Sequence, residues 1–389
     1  MVPLSVPPGP PTRTARPGNG VVLATGDVAP DRAQPDECFA ATAPLLRSAE
    51  LTFGQLETSF AATGTRLPQA RHAVLTPPAA AAALGRAGYD VMSMAGNHCL
   101  DWGSEALLAT RRELEAAGVA VVGAGADIAI ARTPVIRTLA DGTRVAWLAY
   151  CSILPQAYWA EERRAGCAPL RAHTLYEPIE PDQPGTPARA HTFAHAGDLA
   201  AMQDDIRRAR RHAEVVLVSQ HWGIHFVRAT IADYQREVAR AAVAAGADAI
   251  LGHHAHVLKG AELIDGRPVF YSLGNFACDL RMTPEHAAHP SFREIQQLAE
   301  NWEPDFDSLY NFPPASRLSA IVRLQIAAGR IVETALLPLW IGRDAVPRVQ
   351  QAGDAHFAEV QAYLQAVSAE AGLNARFAAQ DDRLVMACN

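Results

Sequence analysis

The sequence predicts an α/β protein with strands and helices in layers, on three observations. Short apolar β-type runs alternate with helical stretches along most of the chain. Nearly every run stops at a polar residue able to bind metal, which sets a rim of such residues outside the carboxyl ends of the strands. The composition, 49% hydrophobic and 19% charged over 389 residues, supplies a sizeable core and excludes a disordered chain.

The elements follow in order. Residues 1–20 are a Pro-rich arm, in which Arg13 and Arg16 come after the few apolar residues rather than before them, so it does not read as a signal peptide. Val21-Val22-Leu23-Ala24 is a buried parallel strand, stopped by Thr25-Gly26-Asp27, that delivers Asp27 at its end. A helix is expected over 38–49, then an apolar run into Phe53-Gly54-Gln55-Leu56-Glu57, an Ala-rich helix over 79–87, and Val91-Met92-Ser93-Met94 leading into Gly96-Asn97-His98. A helix over 107–117, strands over 119–122 and 145–150, and a basic helix over 204–212 precede the strand 215–218, which leads to His221-Trp222-Gly223. The helix 234–245 leads to Ala249-Ile250-Leu251 and Gly252-His253-His254-Ala255-His256, and a strand over 269–273 ends at Gly274-Asn275.

Two segments break this rhythm. Residues 154–197 are rich in Pro and His, and residues 281–316 carry several aromatics among Pro and acidic residues. Both read as lids or substrate walls, because long connections in a compact enzyme hang binding groups on a rigid scaffold; Trp159, Trp302 and Tyr310 are their candidate contacts. The expected organisation is one catalytic domain over 21–345 carrying these two insertions, with helical trim over 346–389. A strand pair within 317–341 and an amphipathic helix over 356–371 are read as structural packing.

Several function classes are excluded. The net charge of −7, from 34 basic and 41 acidic side chains, offers no basic stripe for a nucleic-acid backbone. Nowhere do 18 apolar residues run together, so no membrane anchor is expected. The six cysteines form no C-x-x-C pair, which fits reduced thiols in a cytoplasm better than a zinc ribbon or a disulfide scaffold. No repeat of solenoid length is visible.

The chemistry lies in a conjunction. Five separated strand ends bring Asp27, Glu57, Asn97-His98, His221 and His254-x-His256 to one rim. Carboxylates neutralise and can bridge, imidazoles donate nitrogen, and an amide oxygen adds a hard ligand, so the set suits one or two divalent ions. The mixture favours Mn²⁺, Ca²⁺ or Mg²⁺ over a thiolate-type zinc site.

The motifs Thr25-Gly26-Asp27, Gln55-Leu56-Glu57, Gly96-Asn97-His98 with Asp101-Trp102-Gly103, His221-Trp222-Gly223, Gly252-His253-His254-Ala255-His256-Val257 and Tyr271-Ser272-Leu273-Gly274-Asn275-Phe276 resemble the CapA family of bacterial capsule and poly-γ-glutamate synthesis. That family is similar to the calcineurin-like metallophosphoesterases, and the resemblance implies their four-layer α/β/β/α sandwich with metal at the sheet edge. It implies Asp27, Glu57, Asn97, His221, His254 and His256 as metal ligands. His98 is then an acid/base group whose tautomer Asp101 could fix, and His225 and His253 are candidates for the opposite face of the substrate. Cys99 and Cys278 adjoin the motifs and read as packing, and Asp279 as a brace for its loop.

The departures from the family pattern are Gln55 and Gly96 where Asn is usual, His225 where Glu is usual, and Ala255 where Pro is usual. The histidine of the D-x-H phosphoesterase motif is also missing, since Thr25-Gly26 precedes Asp27. A branch of the family resembles the lasso-peptide epimerases of the MslH type. The resemblance therefore implies a metal-dependent epimerase that inverts an α-carbon in a ribosomal precursor peptide. A metallophosphoesterase, a CapA-like protein of poly-γ-glutamate metabolism and a binding or assembly protein stand as alternatives.

Overall fold

A computed structural model describes residues 18–71, 73–299 and 301–388, so most of the Pro-rich arm lies outside the described residues. Two sheets face each other. The larger has ten strands, with Val21–Ala29 in its middle, parallel to Leu51–Leu56 on one side and antiparallel to Leu318–Ala327 on the other. Beyond Leu51–Leu56 come Val91–Ser93 and Ala120–Val122; beyond Leu318–Ala327 come Arg330–Ile341 and the hairpin of Ala375–Gln380 and Arg383–Cys388. The smaller sheet runs Ala261–Ile264, Arg267–Phe270, Ala249–His253, Val215–His221, Arg144–Cys151, Val135–Thr138.

The period of two along a strand sorts the layers. In Arg144–Cys151, Val145, Trp147, Ala149 and Cys151 join the core shared with the larger sheet. Their neighbours Ala146, Leu148 and Tyr150 pack instead with Met202 and Ile206 of the helix Ala196–Arg210 and Val238 and Ala242 of the helix Asp233–Ala245. The helices Ala80–Ala87, Gly103–Ala116 and Ala355–Glu370 cover the larger sheet. This is the α/β/β/α sandwich that the motifs imply.

Several elements differ from the sequence reading. The first strand does not stop at Thr25 but runs on to Ala29, with its register broken on either side of Asp27. Gly26 allows this, because a Cβ there would lie 2.1 Å from the Gly274 carbonyl oxygen. The break aims Asp27 at the rim while its strand stays paired. The helix expected over 38–49 is two short pieces, Pro35–Phe39 and Ala43–Ser48, each with proline in its first turn, where the missing N–H costs nothing. The strand expected over 269–273 ends at Phe270; after Gly274, at φ +71°, the chain crosses over and Asn275–Cys278 pairs with the first strand beside Asp27.

The C-terminal part is more than trim. The strand pair that begins at Leu318 stands at the centre of the larger sheet, and 346–389 contributes a helix and a hairpin that forms that sheet's edge. Hydrophobic periodicity shows that a segment is a strand but not which strand it pairs with. The two insertions hold regular structure, an antiparallel hairpin of Ala172–Pro178 and Ala188–Ala194 in the first and the short helices Pro284–Ala288 and Pro290–Gln296 in the second. Among the described residues, no helix is long and apolar enough to cross a membrane.

Candidate metal centre

Asp27, Glu57 and His221 come from three strand ends in two sheets, and one donor atom from each lies within 4.8 Å of the others. All three are buried. His221 Nε2 lies 3.2 Å from Glu57 Oε1 and 2.6 Å from Asn97 Oδ1. The His254 amide donates to Asp27 Oδ2 at 3.2 Å, and His256 Nδ1 lies 3.5 Å from that oxygen and 2.7 Å from Asn275 Oδ1. The His254 ring stands 4.9 Å from the His221 ring. His254 and His256 have φ of +88° and +56°, a region that side chains other than glycine rarely adopt and that tends to mark functional turns.

The electrostatics point the same way. Burial, followed by the Asp27 charge, pushes the Glu57 carboxyl well above the carboxylate range, and burial likewise raises Asp27. Burial and then neighbouring imidazoles hold His221 and His254 well below the usual histidine value. Buried carboxylates that resist ionising beside imidazoles that resist protonation form a site short of positive charge. Asp27 Oδ1, Glu57 Oε1, His221 Nδ1 and His254 Nδ1 are all buried without a hydrogen-bond partner. Orphaned buried polar atoms are rare in folded proteins and call for a reason. A hard or borderline divalent cation would satisfy this oxygen and nitrogen set, so the residues present fit the metal that the fold implies.

His98 stands at the Glu57 edge, with Nε2 4.0 Å from Glu57 Oε2. Its Nδ1 is 2.7 Å from Asp101 Oδ2, and Asp101 Oδ1 accepts the Tyr158 hydroxyl at 2.8 Å. His225 stands at the other edge, its ring 3.9 Å from that of His254 and 5.2 Å from that of His256, with Nε2 unpartnered. Burial first, then the charges of His256 and His98, holds His225 well below the usual histidine value.

His253, read as a candidate for the second face, is elsewhere. Its Nε2 lies 3.2 Å from the Thr25 carbonyl oxygen and its Nδ1 3.3 Å from Ser219 Oγ, and it is fully buried against Phe53. With both ring nitrogens occupied in the core between the sheets, it ties those sheets together and does not reach a substrate. The Cys278 thiol donates to the Asp27 carbonyl oxygen at 2.9 Å, and burial and then the Asp27 and Glu57 charges push it well above the usual thiol value. Asp279 pairs with Arg32 and accepts the Asp31 amide at 2.8 Å, bracing the loop beyond the first strand.

Tyr158 and Asn275 are site residues that the sequence reading did not assign. Asn275 carried a signal, as the last polar residue of Tyr271-Ser272-Leu273-Gly274-Asn275; Tyr158 carried none, being a tyrosine in a long irregular insertion. Of the three aromatics expected as walls, Trp302 lines the cavity above the centre, whereas Trp159 and Tyr310 do not. Tyr310 is buried in the scaffold, where it accepts from Asn275 Nδ2 at 2.8 Å and donates to the Ser316 carbonyl oxygen at 2.6 Å.

Known proteins are similar to this chain in sequence. A protein of Sinorhizobium fredii, "Uncharacterized protein y4uA", is 31% identical over 320 residues, covering 68% of this chain and 67% of its own. The "PGA biosynthesis protein CapA" of Bacillus subtilis is 29% identical over 191 residues, 49% of this chain and 43% of its own. The "Probable polyglutamine synthesis accessory protein MT0602" of Mycobacterium tuberculosis is 28% identical over 264 residues, 67% of this chain and 58% of its own. The chain thus spans less than half of the Bacillus subtilis protein. Residues 21–280, which hold Asp27, Glu57, Asn97, His221, His254 and His256, match the family described as "Bacterial capsule synthesis protein PGA_cap", and the chain belongs to that family.

Proposed function

We propose that this chain is a metal-dependent enzyme that acts at a carbonyl of a peptide-type chain, as a CapA-like protein of poly-γ-glutamate metabolism. One observation carries the reading: four orphaned buried donor atoms gather beside a histidine already oriented for proton transfer. Asp27, Glu57 and His221 would hold the ion, with Asn97, His254 and His256 adjoining. A divalent ion, Mn²⁺, Ca²⁺ or Mg²⁺ by its donors, supplies Lewis-acid polarisation of a carbonyl oxygen. The Asp101 carboxylate accepts Nδ1–H of His98, which leaves Nε2 as the atom that takes and returns a proton. Tyr158 fixes Asp101 in turn. The relatives' printed names support the substrate class.

A second reading, a peptide epimerase of the lasso-precursor type, is favoured by one observation. His98 and His225 flank the centre from its Glu57 and His254 edges, and inverting an α-carbon takes an acid and a base on opposite faces of that carbon.

The test combines metal analysis with turnover. Wild-type protein should carry a divalent ion by elemental analysis, and Glu57→Gln should lose it. His98→Ala should keep the ion and lose turnover of γ-glutamyl oligomers. In deuterium oxide, gain of one deuteron at an inverted α-carbon of a precursor peptide would select the epimerase. Brisk release of phosphate from aryl phosphates, with peptides and γ-glutamyl oligomers untouched, would sink both readings.

A further inference from the structure

The hairpin of Ala172–Pro178 and Ala188–Ala194 is a sheet of its own, and its two outer edges are finished differently. The Ile179 amide donates to the Pro187 carbonyl oxygen at 3.1 Å, and the His195 amide to the Arg171 carbonyl oxygen at 2.7 Å, one at each end of the ladder. Both bonds share the register that sets His173 opposite Phe193 and Leu175 opposite His191. Hydrogen-bonded and non-bonded pairs alternate along an antiparallel ladder seen from either side. The odd-numbered residues therefore turn their N–H and C=O groups inward, and the even-numbered ones turn theirs out.

On the second strand the outward N–H groups are capped. Thr192 donates to Asp233 Oδ2 at 3.1 Å and Ala194 to Glu237 Oε2 at 2.8 Å, both on the helix Asp233–Ala245. The first strand has no such cover. Among the described residues, no protein acceptor meets the outward N–H of Thr174 or Tyr176, no third strand pairs with the hairpin, and residues 173–178 are all exposed. Native edges are blunted by lysines, bulges or a covering element; this one has an unbroken register, no lysine, and Leu175 and Tyr176 in the open.

We propose that this edge pairs with the same strand of a second copy of the chain, antiparallel, about a two-fold axis through Leu175. In that register Thr174 exchanges both backbone hydrogen bonds with Tyr176 of the second copy, and Ala172 donates to the carbonyl oxygen of its Pro178. Leu175 meets Leu175 on the axis, and His173 stands opposite Glu177 on either side of it. These are non-hydrogen-bonded positions, where side chains come closest, and an imidazole N–H facing a carboxylate favours the pairing. Glu177 Oε2 already lies 3.0 Å from His191 Nε2, which holds the carboxylate on this face. A slip of two residues either way sets Leu175 against His173 or Glu177 and loses the match. A strand that is its own complement closes with two copies and gives a dimer, not a fibre. The inference is independent of the reading of the metal centre.

The test is sedimentation equilibrium of the full chain between about 1 and 300 μM. A monomer–dimer equilibrium with a dissociation constant of about 1–100 μM is expected for so small an interface. Thr174→Pro removes an outward N–H and leaves the ladder inside the hairpin intact, so it should weaken the dimer at least about tenfold. His173→Glu, which sets carboxylates opposite each other, should weaken it about tenfold, and adding Glu177→His to that variant should restore most of the loss. If Thr174→Pro disturbs the hairpin itself, seen by circular dichroism, the charge exchange decides alone. A monomer throughout the range, association beyond a dimer, a dimer indifferent to these variants, or a double variant no tighter than His173→Glu would each overturn the proposal.

Discussion

The two long insertions look alike as sequence and behave differently as structure. Residues 281–316 fold over the metal centre and give its cavity Arg281, Phe292, Trp302 and Phe312. Residues 154–197 give the cavity no wall at all; their one link to the chemistry is the Tyr158 hydroxyl on Asp101. The hairpin that follows leaves Leu175, Tyr176 and Phe193 exposed by 57%, 70% and 51%. A Pro-rich aromatic segment thus announces an insertion, and what it contacts depends on where its ends leave the scaffold. The second leaves from the strand next to Asp27, and so it covers the site.

Four experiments would break or sharpen that contrast. The largest effect is expected in the cap. Trp302 is buried and its indole donates to the Asn311 carbonyl oxygen at 3.0 Å, so Trp302→Ala should destabilise by about 3–5 kcal/mol, the range for aromatic truncations. Hydrogen exchange should show the opening confined to the cap. If it spreads through both sheets, the cap is part of the core and the contrast fails.

Next comes Lys259, which belongs to the scaffold and to neither insertion. Its Nζ donates to the Thr230 carbonyl oxygen at 2.8 Å, and burial pulls it down to about 8. Because the native state disfavours the charged amine, the penalty is full below pH 8 and fades as the unfolded chain loses its proton near 10.5. Stability should therefore rise across that window by about 3 kcal/mol relative to Lys259→Met, from a shift of 2–3 units. Urea midpoints that run parallel with pH for the two proteins would show that Lys259 is not held this way.

Tyr158→Phe removes only a hydroxyl and leaves Asp101 one bond short. A cost of about 1–3 kcal/mol in the barrier is expected, seen as a lower kcat with unchanged KM and metal content. A change in KM alone would place Tyr158 in the substrate wall after all. The smallest effect is expected from Tyr176→Ser and Phe193→Ser on the exposed hairpin, within about 0.5 kcal/mol for surface positions. Loss of turnover in either would make the first insertion a second wall.

Much of the site was readable because α/β architecture puts chemistry at strand ends. Asp27, Glu57 and His221 each follow an apolar run, and the sequence marks them without any knowledge of pairing. What stayed hidden depends on geometry that no period encodes. His253 and His254 are neighbours, yet one completes a strand and faces the core while the other turns at positive φ and sets its ring beside that of His221. Tyr158 and Asp101 meet across 57 residues with no local pattern between them. The departures at Gln55 and Gly96 explain each other only in space. A Cβ at position 96 would lie 2.8 Å from Gln55 Nε2, so the longer amide at 55 requires the missing side chain at 96.

The placement of the first strand has a consequence for synthesis. Val21–Ala29 leaves the ribosome ahead of its partners: the strand that closes one side of it, Leu318–Ala327, follows about three hundred residues later, and Asn275, beside Asp27, some two hundred and fifty later. Pairings of that sequence separation form slowly and leave an open edge while they wait. The nascent chain therefore holds Asp27 in a half-built sheet until those strands follow, and the surroundings of Asp27 close only when they arrive. The candidate donor set is in this way completed only at the end of folding, and a chain truncated before residue 318 lacks the strand that pairs with Val21–Ala24 beside it.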